Sequence, residues 1–336
     1  MIRNGLFERL QEMTRIARFE GTLDSAMEAI GNTPLVKLGR LTKGLSGHIL
    51  GKLEYLNPGF SKKDRIALQI IEEAEINQQL KPGQTVVELT SGNTGTGLAI
   101  VCAIKGYPFV AVMSKGNSTE RARMMRALGA EVILVEQMPG SRRGQMSGAD
   151  LELVEQEAQR VACERKAFRA NQFRLEAHVR AHYFHTGPEI IAQTGGRFHA
   201  FCDFVGTAGS FAGCSRAFKE YRESTKCYVV EPHGAAVLAG EPLTSAAHRI
   251  QGGGYGIQSL PLFSPSDADG YIQVTDEEAI QACRELAKRE GIFAGFSSGA
   301  NVAAAQQLLR GELAGKTVVV LLCDSGLKYL STDLWE

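Results

Sequence analysis

The chain has 336 residues, with 37 Lys and Arg against 37 Asp and Glu. Zero formal charge removes the field that nonspecific binding to nucleic acid or to an anionic membrane needs, so small ligands are the expected partners. Glycine numbers 37, about 11% of the chain, against a usual share of about 7%; without a Gly-X-Y period the surplus must serve turns and close approaches of backbone.

The longest apolar stretches, Leu98 to Ile104 and Val318 to Cys323, are far short of the ~20 residues that span a bilayer. Residues 1–30 mix charges and contain no apolar signal core, so a cytoplasmic protein is expected. Cys102, Cys163, Cys202, Cys214, Cys227, Cys283 and Cys323 are scattered and form no CxxC pair. Neither a disulfide framework nor a zinc site is suggested, and buried free thiols are expected.

In chain order, Leu6, Leu10, Met13 and Ile16 fall at helical spacing and suit either a dimer contact or packing on their own chain. A strand is expected to end at Asn57-Pro58, before a turn that delivers Lys62 and Lys63 to a helix whose buried face is Ile66, Ala67, Ile70, Ile71 and Ala74. Short Val/Ile-rich strands follow at Thr85 to Leu89, Phe109 to Met113, Glu131 to Val135, Phe201 to Val205, Cys227 to Val230, Tyr271 to Val274 and Thr317 to Leu322. Between them, Leu151, Val154, Ala158 and Val161 mark another helical face, and Arg142 and Arg143 read as solvated charges of a turn. The alternation predicts an α/β protein with parallel sheets covered by helices on both sides, and the length suits two lobes.

Two strands run directly into a Gly/Ser/Thr/Asn cluster and then a helix: Val86 to Leu89 into Thr90-Ser91-Gly92-Asn93-Thr94-Gly95, and Cys202 to Val205 into Gly206-Thr207-Ala208-Gly209-Ser210. Free N–H groups and the positive end of the helix dipole make each turn an anion cradle. Neither fits a nucleotide motif. Gly311 to Thr317 is one residue short of a P-loop, and Gly206-x-x-Gly209-x-x-x-Gly213 lacks the dinucleotide spacing. His178, His182 and His185 at i, i+4 and i+7 could in principle bind a metal, but no nearby ligand completes a set, so a surface helix and no metal are expected.

Lys62 and Lys63 sit at a helix start, where a cation opposes the dipole. A lysine held there is a candidate for a Schiff base with an aldehyde cofactor. The segments Lys52 to Arg65, Glu88 to Gly95 and Gly206 to Ser210 strongly resemble the cysteine synthase and cystathionine β-synthase family of fold-type II pyridoxal-phosphate (PLP) enzymes. Gly31 to Val36, Gln172-Phe173, Thr186 to Ile190, Gly295 to Ala300 and Cys323 to Thr332 match it too, in the family's order.

The resemblance implies two lobes of the tryptophan synthase β-like kind: residues 1–50 and 170–336 form the larger, and 51–169 the smaller, which carries the mobile carboxylate loop. It makes Lys63 the Schiff-base lysine and the base for the substrate's α-proton, with Asn93 on the cofactor's 3′ oxygen. The run Gly206, Thr207, Ala208, Gly209 and Ser210 would hold the phosphate, and Ser297 would face the pyridine nitrogen. Thr90, Ser91, Gly92, Thr94 and Gln172 would hold the substrate carboxylate. The implied activity is β-replacement on O-acetyl-L-serine by a sulfur nucleophile, through an α-aminoacrylate, to give L-cysteine. Alternatives are a β-eliminating lyase and a cystathionine β-synthase-like or O-phosphoserine-using enzyme; a noncatalytic binder on the same scaffold would be colourless. A homodimer is implied.

Several residues depart from the family's pattern. Lys62 stands where an aliphatic residue is usual, and Phe60 and Ala208 stand where Gly is usual. Arg174 to Ala177 replaces an Asn-Pro-Ala-Asn run, and Gly252 to Ile257 replaces a Gly-Ile-Gly-Ala-Gly-Phe stretch.

Overall fold

The computed structural model describes residues 21–141, 147–245 and 248–336. Leu6, Leu10, Met13, Ile16, Arg142 and Arg143 lie outside the described residues. Two sheets organise the chain. The larger has the order β1-β2-β10-β7-β8-β9, formed by Leu35–Lys37, His48–Leu53, Thr317–Leu322, Ala200–Phe204, Lys226–Pro232 and Gly270–Val274. Only β1 runs antiparallel to its neighbour. The smaller is parallel throughout, in the order β5-β4-β3-β6, from Glu131–Val135, Phe109–Ser114, Val86–Leu89 and Phe168–Arg169.

Burial explains the strand sequences. From Val318 to Leu322 every residue of β10 is fully buried, because helices cover both faces of a parallel sheet, and an unbroken aliphatic run results. The helix Lys63–Ile76 turns Ile66, Ala67, Ile70, Ile71 and Ala74 inward, and Gly148–Arg165 buries Leu151, Val154, Ala158 and Val161. All seven expected strands form, with ends displaced by a few residues at most. Six of the seven cysteines are buried and all are free.

Two expectations need correction. The strand expected to end at Asn57-Pro58 ends at Leu53, and Glu54–Leu56 is a 3-10 turn. Glu54 leaves the sheet because its carboxylate is drawn inward to Arg65 and Thr33, while the Asn57 side chain donates back to the Glu54 carbonyl. The last residues of β2, Gly51 to Leu53, pair with β10.

The surface-helix expectation also fails. Ala177–Ala181 continues through a π-helical turn, His182–Thr186, into Gly187–Thr194. His178 and His182 are completely buried, and only His185 is exposed.

A chain of four buried charges joins the larger sheet to two helices. Lys52 of β2 donates to Glu189 at 2.6 Å, and Arg65 reaches Glu189 at 2.6 Å and Glu54 at 2.7 Å. All four side chains are buried, with two charges of each sign. Burial alone would push the Glu189 carboxyl up, but the charges of Arg65 and Lys52 outweigh it and hold it well below the usual carboxylate range. A depressed folded-state value stabilises above the unfolded pKa, about 4.3 for a glutamate, and the contribution fades as pH falls below it. Replacing Glu189→Gln leaves two buried cations short of charge and is expected to cost about 3–5 kcal/mol at pH 7. In urea titrations the gap between wild type and variant should narrow as pH drops below 4.

Candidate active site

Hydrogen bonds draw the carboxyl ends of β3, β7 and β10 together. The loop before Lys63 lies against the residues following β10: Lys62 N–H donates to the Cys323 carbonyl at 2.8 Å and Ser325 N–H to that of Phe60 at 3.1 Å. Asn93, just past β3, donates to the Asp324 carboxylate at 2.7 Å. Lys63 Nζ lies 3.2 Å from Thr207 Oγ1, just past β7. These residues therefore gather where ligands bind in open α/β sheets.

The two adjacent lysines meet opposite surroundings. Lys62 Nζ is 2.8 and 2.9 Å from the two carboxylate oxygens of Asp203 and 2.9 Å from Ser210 Oγ. Burial opposes its charge, yet Asp203 overcomes that and holds the ammonium above its ordinary value. Lys63, the first residue of its helix, has no carboxylate partner among the described residues; it faces Thr207 and His178 Nε2, the latter at 3.3 Å. Burial first, then the neighbouring Lys62 charge, bring its amine down to about 7. The amine is thus available as a nucleophile and base near neutral pH.

The turn Gly206 to Ser210 passes flush against its surroundings. A Cβ on Gly206 would stand 2.3 Å from the Gly252 carbonyl oxygen, and one on Gly209 would stand 2.3 Å from the His178 ring. Ala208 keeps the left-handed backbone, φ +67°, that its glycine-favouring position demands. Gly209 opens the helix Gly209–Tyr221, whose first N–H groups have no partner within the helix and are of the kind that can bind an anion. Ser210 donates to Asp203 at 2.6 Å.

The other turn is shaped by its own hydroxyls. Thr90 Oγ1 accepts from the N–H groups of Gly92 and Gly95, both at 2.9 Å. Gly92 adopts φ +127°, and a Cβ there would strike the aliphatic stem of Arg121, whose guanidinium binds the Ser91 carbonyl at 2.7 Å. Thr94 donates to Gln172 Oε1 at 2.5 Å, and Gln172 Nε2 donates to the Leu89 carbonyl at 3.0 Å. The Asn93 amide is clamped between Asp324 and Lys328, leaving one N–H free of these bonds. Ser297 is half-buried at the second position of Phe296–Arg310.

Two neighbours of the lysine pair are not singled out for that role in the sequence: Asp203, an acidic residue inside an apolar strand, partners Lys62, and His178, read there as a surface-helix residue, lies 3.3 Å from Lys63.

The family model described as pyridoxal-phosphate dependent enzyme matches residues 26–324. This chain belongs to that family. It is 41% identical over 316 residues to a cysteine synthase of Staphylococcus aureus (strain Mu50), covering 94% of this chain and 97% of that one. Among solved structures, cysteine synthase from Entamoeba histolytica superposes with a TM-score of 0.86 at 34% identity, over 95% and 93% of the two chains. A hydrogen sulfide-producing enzyme from Fusobacterium nucleatum superposes with a TM-score of 0.84 at 37% identity, over 92% and 100%.

The residues present fit PLP. A partly buried amine near neutrality suits an aldehyde, and a glycine-lined turn opening a helix suits a phosphate. Adjacent substitutions in that turn should act with opposite sign. In urea unfolding, Ala208→Gly is expected to stabilise by about 1 kcal/mol through relief of the left-handed strain, and Gly209→Ala to destabilise by about 1–3 kcal/mol through its clash with His178.

Proposed function

We propose that this PLP-dependent enzyme makes L-cysteine by β-replacement, with O-acetyl-L-serine as donor and sulfide as nucleophile. The observation that carries the reading is Lys63: an amine near neutrality, held between the β7 turn and His178, in a chain 41% identical to a cysteine synthase. Bound PLP supplies an electron sink for the carbanion at the substrate's α-carbon.

In this reading Lys63 carries the cofactor, takes the α-proton and later returns it. Thr207, Ala208, Gly209 and Ser210, with Gly206, hold the phosphate on backbone N–H groups; Asn93 offers its remaining N–H to the ring's 3′ oxygen; Ser297 faces the ring nitrogen as a neutral partner. The substrate carboxylate is taken by Ser91, Gly92 and Thr94 with Thr90 and Gln172 behind them. The lobe built on the smaller sheet closes this turn over the carboxylate and excludes water. We place the enzyme in the cytoplasm as a homodimer. Its buried free thiols suit a reducing compartment, and no helix among the described residues is long and apolar enough to cross a membrane.

A second reading, β-elimination of cysteine to sulfide, pyruvate and ammonia, is favoured by the likeness to a hydrogen sulfide-producing enzyme. The purified protein should be yellow, and borohydride should fix the cofactor on Lys63 in wild type but leave none fixed in Lys63→Ala. Supplied with O-acetylserine and sulfide, it should release cysteine at least tenfold faster than pyruvate. Faster pyruvate release, or turnover of cysteine alone at a comparable rate, would establish the lyase instead; turnover of O-phosphoserine in preference to O-acetylserine would replace the donor.

A further inference from the structure

We infer that His178 is a further catalytic residue: its neutral imidazole accepts a hydrogen bond from Nζ of Lys63 and aims that nitrogen at the substrate's α-proton. The inference rests on the reading of Lys63 as the amine that bears the cofactor and moves the proton.

The tautomer follows from the ring's other side. His178 Nδ1 lies 2.9 Å from the Gln172 backbone carbonyl, which can only accept, so Nδ1 carries the hydrogen. Thr207 Oγ1, 3.3 Å away, lies near the same hydrogen. Nε2 is then a bare acceptor, and it faces Lys63 Nζ at 3.3 Å. The ring is fully buried, and the ring of His182 packs behind it with centroids 5.8 Å apart. Burial, then the charge of Lys63, hold His178 well below its ordinary value, so it stays neutral. Gly209 lies against it with no room for a Cβ. The imidazole is therefore held by a carbonyl, a second ring and the phosphate turn.

This arrangement constrains the nitrogen. Nζ has three positions besides its bond to carbon, and the acceptors His178 Nε2 and Thr207 Oγ1 occupy two. The third holds the lone pair of the free amine. When the substrate's Cα–H bond breaks, its electron pair stays with the substrate and the proton becomes the third N–H bond. Returning that proton reverses the step. His178 steadies the ammonium in between, a charge that burial otherwise disfavours.

The other titratable groups whose charge acts on Lys63 cannot take this part. Lys62 is a cation paired to Asp203, Glu88 of β3 is engaged by Arg169, and the Cys323 thiol beyond β10 is pushed by burial up to about 12.

Two readouts test the inference on the full-length chain. The first is acetylation of Lys63 by acetic anhydride against pH, in protein stripped of cofactor, followed by peptide mass spectrometry. Wild type should show a midpoint about 7. His178→Leu removes the acceptor that favours the charged form, and the midpoint should fall by about one unit, a tenfold change in the acid constant. The second is steady-state kinetics of the loaded enzyme with O-acetylserine and sulfide. His178→Leu should lose at least tenfold in kcat with KM for O-acetylserine changed less than threefold. His178→Gln, whose amide oxygen can reach the Nε2 position, should recover most of both effects. His178→Asn, too short to reach Lys63, should not, and it stands in if the leucine variant fails to fold. A variant without the acceptor that keeps the wild-type midpoint and kcat within twofold overturns the inference, as does a glutamine variant as impaired as the leucine one. Failure of the underlying reading shows separately: Lys63→Ala would still yield a borohydride-fixed cofactor.

Discussion

Arg65 is the point from which the cleft is set out. Its guanidinium satisfies Glu54 where β2 ends and Glu189 on the helix Gly187–Thr194, and Lys52 extends the chain of charges from within β2 to Glu189. A buried guanidinium costs several kcal/mol of desolvation unless every donor is used, and here Thr33 also lies 3.3 Å from Nη2. Because Arg65 is two residues past Lys63, satisfying it fixes the first turn of that helix. The position of the Lys63 amine is thus decided by charges on its far side, in a part of the protein that no ligand need touch.

The same logic separates the neighbouring lysines. Lys62 and Lys63 share a helix start that disfavours both charges. Asp203 rises from β7 under one of them only, and that one stays an ammonium. The retained charge then presses on its neighbour and adds to the effect of burial, so the pair yields one fixed cation and one amine near neutrality. Ser210 is drawn into this arrangement, accepting from Lys62 and donating to Asp203. With both functions of its hydroxyl used, Ser210 leaves the proposed phosphate role of this turn to backbone N–H groups, a way of meeting an anion that needs no excess of positive charge in the chain.

What was legible in the sequence follows from what each element buries. β3, β4, β7, β8 and β10 read as strands because a parallel sheet buries both faces and leaves a run of apolar residues; β5 and β9 read as strands from Val/Ile content alone, and the two-residue β6 left no such signal. By contrast, β2 holds Lys52 in its interior, and a buried charge is indistinguishable in sequence from an exposed one until Glu189, 137 residues away, is placed beside it. His178 and His182 were misplaced for the same reason: a polar residue at helical spacing signals solvent unless a cleft lies on that face. The glycine-rich turns were legible because their constraint is local. Gly206 and Gly209 are needed where backbone meets backbone or ring, and motif order alone exposes them.

The departures from the family's glycines sharpen this last point. Phe60 and Ala208 both stand where glycine is usual, and both retain the left-handed backbone, with φ +62° and +67°. Had the chain relaxed there, the loop could not have turned Lys62 N–H onto the Cys323 carbonyl, nor the β7 turn brought Thr207 to Lys63. The conformation is thus imposed from outside these residues, by the Asp64 carboxylate that accepts from Gly59 N–H on one side and by the helix Gly209–Tyr221 on the other. Each side chain costs about 1–2 kcal/mol in that backbone, and the surrounding bonds must outweigh it. Strain of this kind persists where the surrounding structure over-determines the chain, and two of the five non-glycine residues that carry it among the described residues, Phe60 and Ala208, lie in the segments that bring Lys63 and Thr207 together.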